Sequence, residues 1–146
     1  MIDCRTFSIL ILAGTILTAC ASSKGDFDRL NTKEESMLVE LKQPDSKQYN
    51  SAKVFISSVK KRTYNGTSGL LVTGQFSNGC SSLMDVSHQL KNQNSTISFT
   101  MEAWMPANAM CTQQLVPFSF LYADVSKEII KTLESYEFDN EVHDIN

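Results

Sequence analysis

Apolar and polar side chains alternate in two stretches of the sequence, LMDVSHQL at residues 83–90 and STISFTMEAWM at residues 95–105. The four residues KNQN separate the two stretches. This period of two is typical of β-strands that bury one face. Asn92, Gln93 and Asn94 suit the tip of a hairpin between them. With Gln93 and Asn94 as the loop, the predicted pairs on the apolar face are Leu90–Ile97, His88–Phe99, Val86–Met101 and Met84–Ala103. A slip of one residue would turn this face to solvent, so the stretch predicts a half-buried hairpin in this register.

Two cysteines, Cys80 and Cys111, flank this hairpin. They lie just beyond the open ends of its strands, so the hairpin brings them to one edge. A disulfide there would hold the loop 106–110, and closing a loop of about 30 residues stabilises a fold by roughly 3–4 kcal/mol. We therefore predict a Cys80–Cys111 disulfide. The alternative is two unrelated buried cysteines.

Further strands are predicted on both sides of the hairpin. Residues 53–59 and 70–76 have strand patterns, and Asn65-Gly66 lies in the turn between them. After the hairpin, the sequence predicts a strand at 115–125, a short helix at 126–133 and a last short strand from Tyr136 to Phe138. Several short strands with little helix predict a mainly β protein folded as a β-sandwich.

The N-terminal segment carries a pattern that concerns localisation. Its apolar run at residues 7–17 is shorter than the roughly 20 residues of a transmembrane helix and suits a signal peptide. The sequence Leu17-Thr18-Ala19-Cys20 at the end of this run resembles the lipobox of bacterial lipoproteins. In that family the cysteine is modified with diacylglycerol and a peptidase cleaves just before it. The resemblance implies a lipid on Cys20 and, through Ala21, an outer-membrane lipoprotein that faces the periplasm.

These patterns divide the chain into four parts. We expect a signal peptide at residues 1–19, a lipid-anchored tether at 20–48, a β-sandwich domain at 49–139 and an acidic tail at 140–146. Within the tether, Asn31 is placed to cap a short helix that ends before Pro44. Export from the cytoplasm is a second argument for the disulfide, because exported thiol pairs usually oxidise.

The C-terminal half also resembles a known type of domain. Its order from Cys80 is a cysteine, a hairpin, a second cysteine, Val116-Pro117-Phe118, a strand and a Leu-x-x-Tyr-x-Phe sequence at residues 133–138. This order resembles the small immunoglobulin-like modules of bacterial envelope lipoproteins. The resemblance implies an immunoglobulin-like β-sandwich and no particular activity.

The chain lacks the sequence features of an enzyme or a nucleic-acid-binding protein. It has no Gly-x-Ser-x-Gly motif, and His88 is expected to be a core histidine beside Phe99. Asp85 and Glu102 face each other on the polar side of the hairpin, where we expect a solvent-exposed face rather than a catalytic cleft. The net charge is −3, and the densest basic run is Lys60-Lys61-Arg62. The sequence therefore predicts no catalysis, no cofactor and no nucleic-acid partner.

Two binding functions remain. The segment WMPANAM at 104–110 is apolar for a turn, and we expect Trp104, Met105, Pro106 and Met110 to contact an envelope protein. In the alternative, Trp104 caps the core. The competing function is a periplasmic carrier of a small ligand or copper, with His88 and methionines as ligands, although their spacing matches no metal motif. A pocket beside His88 would favour the carrier, and a filled core there would favour a lipid-anchored binding module.

Overall fold

The part of the chain that the computed structural model describes, residues 27–146, contains nine strands and two short helices. In chain order they are β1 (Asp28–Arg29), α1 (Thr32–Ser36), β2 (Tyr49–Ala52), β3 (Val54–Tyr64), β4 (Thr67–Phe76), β5 (Ser82–Lys91), β6 (Thr96–Pro106), β7 (Val116–Tyr122), α2 (Lys127–Thr132), β8 (Ser135–Phe138) and β9 (Glu141–Asp144). Over residues 27–146 no helix is long and apolar enough to cross a bilayer. The predicted signal peptide and Cys20 lie outside the described residues.

The strands form two sheets that pack face to face. Sheet A has the order β1–β3–β4–β7. Sheet B is built around β6, which pairs with β5 along one edge and with β2 and β8 along the other, and β9 pairs with β8. Both sheets contribute to the core between them, with Val59, Leu70, Val72 and Phe118 from sheet A and Leu83, Ile97, Phe99 and Tyr136 from sheet B. The structure thus confirms a mainly β protein with a sandwich fold.

The β5–β6 hairpin has the predicted register over most of its length. The observed pairs include Leu90–Ile97, His88–Phe99 and Val86–Met101. The predicted Met84–Ala103 pair is wrong, because a β-bulge shifts the ladder and Leu83 pairs with Ala103 instead. The bulge gives Leu83 the fully buried position. The loop spans residues 92–95, in which three consecutive residues have positive φ angles of 51–67°.

Two-residue turns close two other hairpins. Asn65 and Gly66, with φ angles of 47° and 80°, join β3 to β4 as the Asn-Gly pair predicts. Asp139 and Asn140, with φ angles of 51° and 66°, join β8 to β9 in the same way. The structure therefore differs from the expected acidic tail at 140–146. Asp and Asn tolerate the left-handed conformation that this turn requires, and the residues after them pair with β8.

Residues 27–43, which the sequence assigns to the tether, reach both edges of sheet A. At one edge, β1 pairs in parallel with β3 beside Arg62. At the opposite edge, the Ser119 N–H of β7 donates to the Met37 carbonyl at 2.7 Å, and the Val39 N–H donates to the Ser119 carbonyl at 2.8 Å. The described part of the expected tether therefore belongs to the domain, because its backbone pairs with strands that lie far away in sequence.

Glu34 attaches α1 to β3. Asn31 and Glu34 form a capping box, in which each side chain accepts the other residue's backbone N–H at 2.9 and 3.0 Å. Arg62 Nε donates to the same carboxylate at 3.3 Å, and the Lys60 ammonium lies 3.7 Å from it. Burial by itself raises the pKa of Glu34. The hydrogen bonds and the two cations outweigh burial, so that this pKa lies below its ordinary value of 4.5.

Cys80 and Cys111 form the predicted disulfide, with their Cα atoms 5.4 Å apart. The bond joins the connection between β4 and β5 to the loop after β6. Next to it, the Gly79 N–H donates to the Thr112 carbonyl at 3.1 Å, and a Cβ atom at Gly79 would collide with the Thr112 hydroxyl. The disulfide, with a sequence separation of 31, therefore closes a loop that contains the whole β5–β6 hairpin.

Removal of this disulfide should lower the stability of the domain without changing its fold. For the double variant Cys80→Ser/Cys111→Ser we expect the free energy of unfolding to fall by about 3–4 kcal/mol, because the unfolded chain regains the entropy of the open loop. Urea unfolding followed by circular dichroism measures this change. Wild-type protein kept reduced is the control and should match the variant. Equal urea midpoints for the oxidised wild type and the variant would contradict the prediction.

The Glu34 contacts should make stability depend on pH. Because the pKa of Glu34 is lower in the folded state than in the unfolded state, its contribution is complete above about pH 4.5 and is lost as the pH falls through the folded-state value. We expect Glu34→Gln to cost about 2 kcal/mol at pH 7 and progressively less in acid. Urea unfolding at several pH values tests this, with Glu35→Gln on the exposed side of the same helix as control. A cost that is independent of pH would refute it.

Candidate functional site

The loop between β6 and β7, residues 107–115, is held at its start and at its middle. The Cys80–Cys111 disulfide fixes its middle. At its start, the Ala107 N–H donates to the Gln48 carbonyl at 3.3 Å, and the Asn108 side-chain amide donates to the Gln48 side-chain oxygen at 3.5 Å. The loop has no regular secondary structure, yet its start is tied to Gln48 and its middle to Gly79 and Cys80.

Trp104, one of the predicted contact residues, is buried. Its Nε1–H donates to the Lys42 carbonyl at 2.6 Å, and its ring lies edge-on to Tyr49 with centroids 6.3 Å apart. The Lys42 ammonium lies 5.9 Å from the centre of the ring. The N-terminal segment therefore covers Trp104, and this residue is not accessible to a partner. The sequence offers no local signal for this, because Lys42 is 62 positions away.

Met105 is also engaged within the domain. Its sulfur accepts a hydrogen bond from the side-chain amide of the buried Asn78 at 3.2 Å. The Asn78 side-chain oxygen in turn accepts the Cys80 backbone N–H at 3.0 Å and the Ser81 hydroxyl at 2.9 Å. Asn78 therefore organises the chain beside the disulfide, a role for which its place in a turn gave no indication.

The exposed large apolar residues of the loop are Met110 and Leu115. Met110, next to Cys111, is fully exposed, and half of the Leu115 side chain is exposed. Pro106 is exposed as well. Of the four predicted contact residues, the structure thus leaves Pro106 and Met110 available, and it adds Leu115, which the sequence analysis did not select.

His88 connects the two sheets. Its Nδ1 lies 2.6 Å from the Tyr122 hydroxyl of β7, and the Tyr122 ring packs edge-on against Phe99 with centroids 5.5 Å apart. Burial, with smaller effects of Asp124 and Asp85, raises the pKa of Tyr122 above its ordinary value. His88 lies opposite Phe99, as predicted, but it is half-buried and is not one of the core residues.

The residues considered for metal binding and acid–base chemistry are spread over the domain. Met101 lies on β6 two positions from Phe99, Met105 is bonded to Asn78, and Met110 is on the loop. Within residues 27–146, no group of three or more His, Cys, Asp and Glu side chains is arranged to hold a metal ion. Asp85 and Glu102 are directly opposite each other on β5 and β6, as predicted.

A cleft of about 230 Å³ opens between β3 and the β8–β9 hairpin. Its apolar walls are Phe55 and Ile56 on one side and Tyr136 and Phe138 on the other, and its rim carries Lys53, Asp139, Glu141 and His143. The His143 ring stacks on Tyr136 with centroids 5.2 Å apart, and its Nε2 lies 3.6 Å from a Glu141 oxygen. The cleft has no local signal in the sequence, because the segments that form it are about 80 residues apart.

Together, the fold and the loop define a small, disulfide-braced β-sandwich. Residues 70–127 match the family model described as the ORF11 beta-sandwich domain. This range begins in β4, contains the β5–β6 hairpin and both bridged cysteines, and ends at the first residue of α2. Searches of curated proteins and of solved structures gave no significant match. The family match agrees with the observed sandwich, and its description names a fold and no activity.

Proposed function

We propose that this protein is a lipid-anchored protein of the bacterial cell envelope that acts as a structural or protein-binding module and catalyses no reaction. The observation that carries the proposal is the sequence Leu17-Thr18-Ala19-Cys20 after the apolar run of residues 7–17, which resembles a lipobox. A diacylglycerol on Cys20 supplies two acyl chains, which anchor a protein stably where a single chain does not. By analogy with that family, Ala21 favours the outer membrane, with the domain in the periplasm.

Two features of the folded domain support export and anchoring. The Cys80–Cys111 disulfide suits an oxidising compartment such as the periplasm, because such bonds rarely persist in the cytosol. The chain from Cys20 to Phe27, where the described domain begins, spans at most about 25 Å when extended. A lipid on Cys20 would therefore keep the sandwich close to the membrane surface.

The exposed loop beside the disulfide supports binding to another protein. Met110 and Leu115 are exposed apolar residues on a segment whose backbone is fixed by the disulfide and by the Thr112 and Gln48 hydrogen bonds. A segment that is already ordered loses little conformational entropy when it binds, which improves affinity. Methionine is also among the residue types enriched at the centre of interfaces. We therefore assign the protein contact to Pro106, Met110 and Leu115.

A periplasmic carrier of a small ligand is the second candidate. The cleft between Phe55 and Phe138 favours it, because its apolar walls and charged rim are typical of small-molecule sites. The ligands first considered for this function do not meet there: His88 is bonded to Tyr122, and Met105 to Asn78. The structure therefore gives less support to copper than to a small organic ligand.

The lipid anchor can be tested by replacing Cys20 with serine. We expect the wild-type chain extracted from membranes to begin at Cys20 and to carry at least diacylglycerol, whereas Cys20→Ser should remain uncleaved and unmodified, because serine lacks the thiol that accepts the lipid. Intact-mass analysis measures both. Alkylation before and after reduction should add two groups to the wild type only after reduction, at Cys80 and Cys111.

Cys4→Ser is the matched control for this experiment, since Cys4 lies in the segment that cleavage would remove. This variant should be lipidated like the wild type. A wild-type chain that retains residues 1–19 and carries no lipid would refute the anchor.

The protein contact can be tested with a photo-crosslinking residue at Met110, introduced in cells that make the protein. We expect a discrete adduct with another envelope protein, because the side chain at this position is fully exposed on the braced loop. The same residue at Val142, which is exposed on β9, is the control and should not give this adduct. In the Cys80→Ser/Cys111→Ser background, the yield at Met110 should fall because the loop loses its brace. Identical adducts at both positions, or none at Met110, would contradict the assignment.

A further inference from the structure

The outer edge of β5 has no partner strand in the described part of the chain. β5 pairs with β6 on one side, and on the other side its contacts are confined to one end, where the Lys42 N–H donates to the Leu83 carbonyl at 2.8 Å and the Gln43 amide to the Met84 carbonyl at 3.2 Å. Beyond these two residues, the edge from Asp85 to Lys91 is uncovered within residues 27–146. Alternate residues of such a strand direct backbone N–H and C=O groups outward, and these groups can pair with an added strand.

The other long strands at sheet edges are at least partly covered. The N-terminal segment pairs with β7 at Ser119, and β1 and the Asn146 N–H cover β3 beside Arg62 and Val59. β9 is only four residues long and carries charged side chains at both ends, which disfavour pairing with another chain. On β5, the five residues between Asp85 and Lys91 include no charged residue and no proline. The usual features that block the addition of a strand are therefore missing over the middle of this edge.

The sequence of this edge complements itself. In an antiparallel pair of two β5 strands centred on His88, the cross-strand pairs are Asp85 with Lys91, Val86 with Leu90, Ser87 with Gln89, and His88 with His88. Each charged residue then faces the opposite charge, and each apolar residue faces another apolar residue. Pairs of this kind stabilise antiparallel strands, whereas like charges in direct opposition destabilise them.

We propose that β5 is an interface with a second copy of this chain, in which the two β5 strands pair antiparallel about a two-fold axis at His88 and join the two B sheets into one. The inference stands on the sandwich alone and does not depend on a lipid at Cys20. It adds an interface to the loop contact proposed above.

The charges around Asp85 favour this occupant over an unrelated strand. Asp85 lies directly opposite Glu102 on β6. Neither carboxylate takes part in an ion pair with another residue of the described part of the chain. In the proposed pairing, Lys91 of the second copy lies opposite Asp85 and offsets this repulsion. Lys91 already contacts Glu137 at 2.6 Å on the same face of the sheet. To reach Asp85 of the second copy, this ammonium would turn from Glu137 on β8, beyond β6, to the outer edge of β5.

A charge exchange tests the register. Asp85→Lys places two lysines opposite each other at both ends of the interface. It should therefore raise the dissociation constant of the dimer roughly tenfold. Lys91→Asp should weaken it similarly, and the double variant Asp85→Lys/Lys91→Asp should restore it, because the opposite charges again face each other. Sedimentation velocity of the full chain, purified in non-ionic detergent, measures the association. Urea unfolding of each variant shows whether the fold itself is retained.

Cysteine cross-linking provides an independent test. In directly opposed antiparallel residues the Cα atoms are about 4.5–5.5 Å apart, which suits a disulfide. Asp85→Cys/Lys91→Cys should therefore give a covalent dimer on oxidation. Each single variant is a matched control and should not, because two copies of the same position lie about 20 Å apart.

A wild-type chain that sediments as a monomer at every concentration tested would overturn the proposal. It would also be overturned by a dimer that is indifferent to Asp85→Lys and is not cross-linked by the cysteine pair, since that dimer would use another surface. Cross-linking of the cysteine variant to a different protein would show that the edge accepts a foreign strand instead.

Discussion

Packing of the apolar face of the β5–β6 hairpin on sheet A is the interaction on which the rest of the structure depends. Ile97 and Phe99 of β6 are buried in one core with Leu70 and Val72 of β4. β6 also provides the pairing edges for β2, β5 and β8. Because side chains alternate between the faces of a strand, a shift of β6 by one residue would expose its apolar side chains and break three strand pairings together. The disulfide acts on the same element, since the loop that it closes contains the whole hairpin.

The parts of the fold that the sequence predicts well are those that depend on neighbouring residues. The hairpin register follows from the period-two pattern, and the β3–β4 turn follows from Asn65-Gly66. The bulge beside Leu83 was not predictable in this way, because Met84 is also apolar and either residue could face the core. The β8–β9 hairpin did have a local signal in Asp139-Asn140, but the acidic residues around it favoured the interpretation as a tail. For the structure of residues 139–144, two adjacent residues that tolerate positive φ were a better guide than the acidic composition.

The elements that sequence analysis missed depend on contacts between distant segments. Residues 27–43 are polar and weakly patterned because they pair only briefly with each sheet edge, at Arg62 and at Ser119, and one capping box with Glu34 orders the helix between these points. The same segment decides the candidate site. It buries Trp104 through the Lys42 carbonyl, so that Met110 and Leu115 are the large apolar residues that stay exposed on the loop. The disulfide was predictable because the hairpin register brings its two cysteines together, whereas the burial of Trp104 required a segment about 60 residues away.

The proposed anchor and the proposed β5 interface are compatible in geometry. Because Asp28 pairs with Arg62, the chain enters the sandwich at Phe27, level with Lys61. Along the sheet, Lys61 pairs with Leu70 and Leu70 with Tyr122, whose hydroxyl is bonded to His88. The chain therefore enters at the level of the residue on the two-fold axis. An axis perpendicular to the sheets at this level keeps sheet A of both copies on one side and leaves both entry points level with each other. A two-fold axis along the sheet normal also leaves both entry points at the same height on the sheet A side, so two lipid-anchored copies can reach one bilayer that lies parallel to the sheets.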